Sequence, residues 1–506
     1  MYGNTLKYFD KLRISSNIYD IVKKTPITYG YNLSKLTNNN ILYKREDMQT
    51  IHSFKIRGAC LKINSLTNTS KQIGLVTASA GNHAQGVAYI SNKLKIHSTI
   101  VMPCHTPKIK IDSVINFGGD YVDIILHGNS YDDSYNKALE IKLYENKTMI
   151  HPFDDIHTIA GNSTIAYEIL EDYKNINKIF VPIGGGGCIA GIALGIKNIN
   201  PNIKVIGVEA ENAAGMTESI KQNKVVKLDK IDTFADGCAV KQVGELTYSL
   251  CKEYVDDIIT VNNNEISNAI KLGFDETRVL LEPSGALSIA GIYKYTKKYN
   301  TYNRNIVGIL SGANCDFSKF AFIKECIDFK EKLILLKIKE QKGSFYKLYN
   351  IINDQNGIIT EFSYKYNNKN YADIFMAFKS NVNNKIIQTL CNLNYDLNDL
   401  TDNDLTRDHI RYMSINNNMR LKNEKIIRFE LPNNEYNLKK LLSKLDPKWD
   451  ISLFHYKNSY SDFSKILIGF KVLNKDSHIF TDFLNSLSYT YYDETSNYDN
   501  IFKNKY

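Results

Sequence analysis

From about residue 70 to residue 315, short β-branched runs alternate with stretches of helical periodicity, and this alternation constrains the fold more than any other feature. Residues 73–77, 98–102, 121–126, 178–183, 204–209 and 305–310 read as buried strands. Residues 134–144, 159–173 and 265–281 read as helices between them. Strand–helix alternation on this scale predicts an α/β fold, a mostly parallel sheet covered by helices on both faces. Ligands in such sheets bind beyond the carboxyl ends of the strands. The turns after Thr77, Ile183 and Leu310 therefore matter most, and all three are rich in Gly, Ser and Asn.

A chain of 506 residues exceeds what one hydrophobic core organises, so two or three domains are expected. With 43% hydrophobic and 23% charged residues, a wholly disordered or fibrous chain is excluded. One tryptophan beside 34 tyrosines, with abundant Asn, Ile and Lys, reads as drift toward AT-rich codons, which weakens surface charge as evidence. The net +9 is scattered, whereas a nucleic-acid footprint needs clustered Lys and Arg. The eight cysteines show no CxxC spacing and the histidines form no zinc motif, so neither a disulfide framework nor a metal is expected. Residues 1–14 carry Lys and Asp where a secretory segment would be apolar, and no run approaches the roughly 18 apolar residues that span a bilayer. A cytoplasmic protein without nucleic-acid or membrane partners is expected.

After about Lys330 the sequence repeats itself. Phe362 and Tyr364 recur as Phe454 and Tyr456, and Phe378-Lys379 recurs as Phe470-Lys471, each 92 residues later. Residues 333–352 and 426–445 read as strand, loop and amphipathic helix, and 358–379 and 451–472 as hairpins. The pattern predicts a duplicated small α+β module.

Four segments of the first region carry chemistry. In Ser53-Phe54-Lys55-Ile56-Arg57-Gly58-Ala59, apolar neighbours would desolvate Lys55, lower its pKa and free the amine for Schiff-base chemistry. Taken alone, this segment reads instead as a surface lysine on a helix, since most lysines stay solvated. In Thr77-Ala78-Ser79-Ala80-Gly81-Asn82-His83, a strand ends, small residues turn and a helix begins, a place to hold a substrate carboxylate. Asn82 could equally be an ordinary helix cap, and His83 a satisfied structural histidine. Gly184-Gly185-Gly186-Gly187-Cys188 follows a strand and opens a helix, which suits a phosphate. It lacks the Lys-Ser/Thr pair of a nucleotide loop. Ser311-Gly312-Ala313-Asn314 offers a neutral hydroxyl at a strand end. An imine lysine, a phosphate cradle, an anion loop and a hydroxyl together fit pyridoxal 5′-phosphate.

Residues 1–325 resemble the fold-type II pyridoxal-phosphate enzymes, in particular the biosynthetic threonine ammonia-lyases. The resemblance rests on Tyr43-Lys44-Arg45-Glu46-Asp47, the four segments above, His151-Pro152-Phe153-Asp154-Asp155, Phe234-Ala235-Asp236-Gly237 and Glu282-Pro283-Ser284-Gly285-Ala286. Residues 331–421 and 425–506 resemble the family's two ACT-like regulatory domains, with a smaller catalytic subdomain at about 55–155. The resemblance implies that Lys55 carries the cofactor and removes the substrate's Cα proton. It implies further that Asn82 bonds the ring hydroxyl, Gly184–Cys188 hold the phosphate and Ser311 partners the ring nitrogen. Ser79, Ala80, Gly81, Asn82 and His83 would bind substrate. The activity implied is deamination of L-threonine to 2-oxobutanoate, inhibited by isoleucine, with valine a further effector, in a homotetramer. A serine/threonine dehydratase, a serine racemase-like enzyme or a catalytically dead amino-acid-binding regulator are the alternatives. Two departures stand out: Gly161-Asn162-Ser163-Thr164 where the family has Gly-Gln-Gly-Thr, which questions the helix there, and Cys188 where an aliphatic residue is common. For the regulatory loops at 340–344 and 432–437, Gly343 against Glu435 leads us to expect the first to be the better preserved effector site.

Overall fold

The computed structural model forms two compact units, Met1–Phe317 and Ser318–Tyr506. It describes residues 2–15, 17–316, 323, 331–339, 344–365, 371–380, 382–410, 423–432, 437, 440, 441, 444, 449–457, 463–487 and 489–502.

The first unit holds two sheets. In the larger, β1 (Ile27–Tyr29), β2 (Asn40–Arg45), β10 (Asn305–Leu310), β7 (Lys178–Pro182), β8 (Lys204–Ala210) and β9 (Asp257–Val261) lie side by side in that order. All neighbours are parallel except β1, which is antiparallel to β2 at the edge. The smaller sheet runs β5 (Val122–Leu126), β4 (Ser98–Met102), β3 (Leu75–Ala78), β6 (Thr148–Met149), all parallel. Helices cover the sheets, and the parallel strands β3, β4, β7, β8 and β10 are buried along almost their whole length rather than alternating.

Strand β2 contains Lys44 and Arg45, which mask its β character, yet both side chains are buried because each meets a carboxylate. Strands β1, β6 and β9 were also unanticipated. Two boundaries are corrected. Ile73 closes a helix, Asn68–Ile73, and Gly74 at φ 106° separates it from β3. The helix expected over 265–281 is Asn263–Thr277, ended by Arg278 at φ 55°; a separate helix, Pro283–Lys298, starts with proline in its first turn.

One continuous core joins the helices Lys55–Asn64, Asn82–Leu94, Ile156–Asp172 and Gly187–Ile199 through Ile56, Leu61, Val87, Ile159, Ile189 and Ile192. Gly161 lets two of these helices touch, since a Cβ there would lie 2.5 Å from the Arg57 carbonyl oxygen. The Gly161–Thr164 departure does not interrupt its helix, which runs unbroken from Ile156 to Asp172.

Beneath the start of the Lys55 helix lies a fully buried charge cluster. The Arg57 guanidinium donates to Glu46 at 2.7 Å and pairs with Glu168, and Lys44 donates to Glu168 at 2.6 Å. Thr25 and Tyr19 donate hydroxyls to the same two carboxylates. Burial pushes the Glu168 carboxyl up, but Arg57 and Lys44 prevail and hold it below the ordinary value. Two cations matched to two carboxylates, each hydrogen-bonded, is the condition under which buried charge persists.

The second unit contains two four-stranded antiparallel sheets of one design. The first orders β12 (Ile358–Lys365), β13 (Tyr371–Lys379), β11 (Glu331–Lys339) and β14 (Asp396–Asp399). The second orders β16 (Asp450–Lys457), β17 (Phe463–Lys471), β15 (Glu424–Pro432) and β18 (Thr490–Asp493). Phe362 pairs with Met376 and Phe454 with Ile468, and both hairpins shift register at matching places, Ile359/Glu361 and Ile451/Leu453. The duplication read from the aromatics is therefore a duplication of topology. Residues 340–343 and 433–436, on which the comparison of Gly343 with Glu435 rested, lie outside the described residues. Among the described residues no helix is long and apolar enough to cross a membrane, and no group of three or more His, Cys, Asp and Glu is arranged to hold a metal ion.

Candidate cofactor and active site

Lys55 begins its helix. Its partly buried Nζ donates to the Pro152 carbonyl at 3.1 Å. Burial lowers its pKa, opposed by the nearby Cys238, Cys188 and Glu282. The segment before it is tied to the turn after β10, because Phe54 N–H donates to the Ser311 carbonyl at 3.1 Å and Ala313 N–H to the His52 carbonyl at 2.9 Å. The surface-lysine reading of this segment falls.

Asn82 is not the cap of its helix. Gly81 occupies that position without a side-chain cap, and the Asn82 amide points elsewhere. Its Nδ2 donates to Glu282 Oε1 at 2.8 Å, and its Oδ1 accepts from Asn314 Nδ2 at 2.8 Å. Asn314 Nδ2 also donates to the Ile51 carbonyl at 2.8 Å. Ser79, Ala80 and Gly81 form the half-buried turn before the helix, where the first amides have no partner within it. His83 faces the interior: its Nε2 lies 2.9 Å from the Ile150 carbonyl, and burial pushes its pKa down to about 3. The ring is thus neutral with Nε2–H donating, and its buried Nδ1 has no hydrogen-bond partner.

Gly184–Cys188 join β7 to the helix Gly187–Ile199, with Gly186 at φ 94°. Phe153 lies across this loop. A Cβ on Gly185 would fall 2.3 Å from the Phe153 ring, and one on Gly187 would meet the Phe153 carbonyl oxygen at 2.8 Å. Phe153 belongs to the turn His151–Asp155, in which His151 Nδ1 accepts from the Asp154 amide at 2.7 Å. Burial takes the His151 pKa down to about 4 despite Asp154 and Asp155. Asn162 Nδ2 donates to the Gly187 carbonyl at 3.1 Å, so the residue that departs from the family pattern buttresses the glycine loop. Burial pushes the Cys188 thiol well up and the Cys238 thiol up to about 12, and both remain protonated near Lys55.

Ser311 sits at the end of β10, buried, with Oγ donating to the Ser284 carbonyl at 3.3 Å. Glu282 precedes the helix Pro283–Lys298 and is 4% exposed. Gly312 is required beside it, since a Cβ there would overlap Glu282 Oε1 at 2.4 Å.

The structure therefore brings together Lys55, Asn82, Cys188 and Ser311, which lie far apart in the chain. Glu282 and Asn314 join them; the motifs containing both were visible, but neither had been given a role. Pyridoxal phosphate fits these residues. They supply an amine of lowered basicity, a glycine loop that admits no side chain at a helix start where anions are favoured, and a neutral hydroxyl at a strand end.

Comparisons with known proteins agree. Residues 18–312 match the family described as pyridoxal-phosphate dependent enzyme, and residues 325–410 and 416–502 each match the C-terminal regulatory domain of threonine dehydratase. The chain is 40% identical over 497 residues to the biosynthetic L-threonine dehydratase of Burkholderia multivorans, covering 97% of each. It is 38% identical to the mitochondrial threonine dehydratase of Saccharomyces cerevisiae, covering 98% of this chain and 88% of the relative. The solved structure of the processed form of threonine deaminase isoform 2 from Solanum lycopersicum superposes with a TM-score of 0.62 at 44% identity, covering 64% of this chain and 89% of that one. On this evidence the chain belongs to the pyridoxal-phosphate-dependent threonine dehydratases that carry a C-terminal regulatory domain.

Proposed function

We propose that the protein deaminates L-threonine to 2-oxobutanoate and ammonia, the first step toward isoleucine, and that isoleucine inhibits it through residues 331–506. The observation that carries the catalytic reading is the Lys55 amine, its basicity lowered by burial, held on the Pro152 carbonyl beside Ser311 and the Asn82–Glu282 pair. Pyridoxal phosphate, when bound, supplies an electron sink that makes the substrate Cα–H acidic. Lys55 would remove that proton, and its burial favours the neutral amine that does so. Amides of Gly184–Cys188 would hold the phosphate, with Thr247 Oγ1, which donates to the Gly185 carbonyl at 2.6 Å, and Asn162 fixing the loop. Asn82 would bond the ring hydroxyl, its orientation set by Glu282 on one side and Asn314 on the other. The turn Ser79–His83 receives the substrate carboxylate through its amides. Ser311 would serve the ring nitrogen as a neutral partner. Because its hydrogen is directed to Ser284, it offers lone pairs unless the hydroxyl rotates.

We divide the chain into a catalytic region, 1–325, with its smaller subdomain at about 55–155, and regulatory modules at 331–421 and 425–506. The contact boundary after Phe317 and the separate family matches support this division. A homotetramer in the cytoplasm completes the reading; the free cysteines among the described residues suit a reducing compartment. The test is formation of 2-oxobutanoate from threonine and of pyruvate from serine, each with and without isoleucine. Turnover of serine in preference to threonine, indifferent to isoleucine, would replace this reading by a serine dehydratase.

A further inference from the structure

Residues 222–244 leave the larger sheet after the helix Gly215–Lys221 and return to it at the helix Glu245–Tyr254, before β9. The neck of this excursion is closed by a bridge between Lys227 and Gln242 and by the Leu228 amide, which donates to the Lys241 carbonyl at 2.8 Å. One side is anchored on the larger sheet. The Asp232 amide donates to the Asn212 carbonyl at 3.1 Å, and Asp232 Oδ2 accepts from Asn263 Nδ2 at 2.7 Å. The tip, residues 234–238, turns tightly, with the Cys238 amide donating to the Ala235 carbonyl at 2.9 Å. It lies against the cofactor site. A Cβ on Gly184 would fall 2.9 Å from Cys238 Cα, and one on Gly237 would fall 2.9 Å from Ser284 Oγ and 3.4 Å from Glu282 Oε1.

An ion pair ties this tip to the smaller sheet. Lys110, on the helix Lys108–Gly118 between β4 and β5, donates to Asp236 Oδ2 at 2.7 Å, and each side chain is 26% exposed. The next residue, Ile111, packs together with Val114 on Ala84 and Ala88 of the helix Asn82–Leu94. That helix is the one opened by the turn Ser79–His83. Contacts therefore run from the tip beside Gly184 and Glu282, through Lys110, to the turn that would receive the substrate carboxylate. A second pair joins the neck to the smaller sheet: Lys227 reaches Asp132 of the helix Tyr131–Tyr144 at 3.0 Å, with side chains 59% and 47% exposed. Tyr131–Tyr144 packs through Ala138 and Ile141 on Val76 and Val101, away from the helix Asn82–Leu94. Water and salt screen this second pair more than the first. The two pairs thus share an excursion and differ in what lies behind them.

We propose that Lys110 and Asp236 are positioning residues of the reaction: their ion pair fixes the turn Ser79–His83 relative to the tip beside the cofactor site, so that losing it weakens the hold on substrate without loosening the cofactor. This rests on the deamination reading above for the substrate used to probe it and for the place of that substrate's carboxylate. The experiment is steady-state threonine turnover by the full-length parent, Lys110→Gln, Asp236→Asn, their double variant, Lys110→Arg and Lys227→Gln. Each cofactor-free protein is also titrated with pyridoxal phosphate, and backbone hydrogen–deuterium exchange is followed in the parent and Lys110→Gln. Either neutralising variant should raise KM about three- to tenfold with kcat and cofactor affinity within about twofold of the parent. The double variant should be no worse than the worse single one, because both remove the same bond. Lys110→Arg keeps the charge and should stay within about twofold, as should Lys227→Gln. A parental KM in both neutralising variants, or effects that simply add in the double variant, overturns the inference while deamination stands. An equal loss in Lys227→Gln makes the two pairs general struts and overturns it as well. A parent that deaminates neither threonine nor serine removes the functional reading instead, and exchange then decides the inference. Amides of residues 79–83 and 234–238 should exchange roughly threefold or more faster in Lys110→Gln; parental exchange in either segment overturns it.

Discussion

Adding a single methyl group at Gly185 tests the glycine loop more sharply than removing any side chain. The new Cβ would lie 2.3–2.5 Å from three Phe153 ring atoms, far inside van der Waals contact, so the ring or the loop must move. The ring is the more mobile partner, but it packs edge-on against His151 with centroids 4.8 Å apart, and the His151–Asp155 turn carries the Pro152 carbonyl that holds Lys55. Overpacking of this kind costs about 1–3 kcal/mol. Charged wholly to the cofactor-bound geometry, that corresponds to a roughly 5- to 160-fold weaker cofactor affinity. The assay is fluorescence titration of cofactor-free Gly185→Ala protein with pyridoxal phosphate, run beside Phe153→Ala and the double variant. Because the clash needs both groups, the double variant should bind about as well as Phe153→Ala alone, giving a coupling of about 1–3 kcal/mol. If Gly185→Ala binds like the parent, or if the two effects simply add, the glycine is not there to admit Phe153 and the account of the loop is wrong.

Three further outcomes follow from the same geometry. Lys55→Ala should abolish threonine turnover and the cofactor–lysine absorbance while the far-ultraviolet spectrum is kept; turnover at the parent rate would remove Lys55 from the mechanism. Ser311→Asp should retain cofactor but slow elimination and produce a longer-wavelength absorption on adding threonine, since an anion would hold the ring nitrogen protonated; an unchanged rate and spectrum would make the turn purely structural. His83 and His151, with pKa values brought down to about 3 and about 4, stay neutral in the fold while their unfolded counterparts protonate below about 6.5. Their stabilisation is therefore present above about pH 6.5 and is lost as pH falls toward their folded values, by up to about 1.4 kcal/mol per pH unit for each. Urea unfolding of the His83→Gln protein between pH 4 and 7 should show a shallower decline than the parent, and an identical slope would refute the assignment for His83.

Much of this protein is legible residue by residue because the signals are local demands on the backbone. The helix opening at Lys55, the four glycines after β7 and the turn after Thr77 each state what their own segment must do, and the spacing of Phe362, Tyr364 and Phe378 from their counterparts reveals the duplication. Partnerships at long separation are not written that way. Strand β2 buries Lys44 because Glu168, 124 residues on, matches it, and only packing brings the two together. Asn82 looked like a cap, yet its partner Glu282 lies 200 residues away and Asn314 lies 232 away. Asn162 reads as a departure that questions its helix, yet it donates to the Gly187 carbonyl, 25 residues away. Sequence determines which groups are available and which backbone each segment can adopt. Tertiary structure decides which groups lose water together, and desolvation is what lowers the Lys55 pKa, keeps His83 neutral and makes a buried ion pair persist.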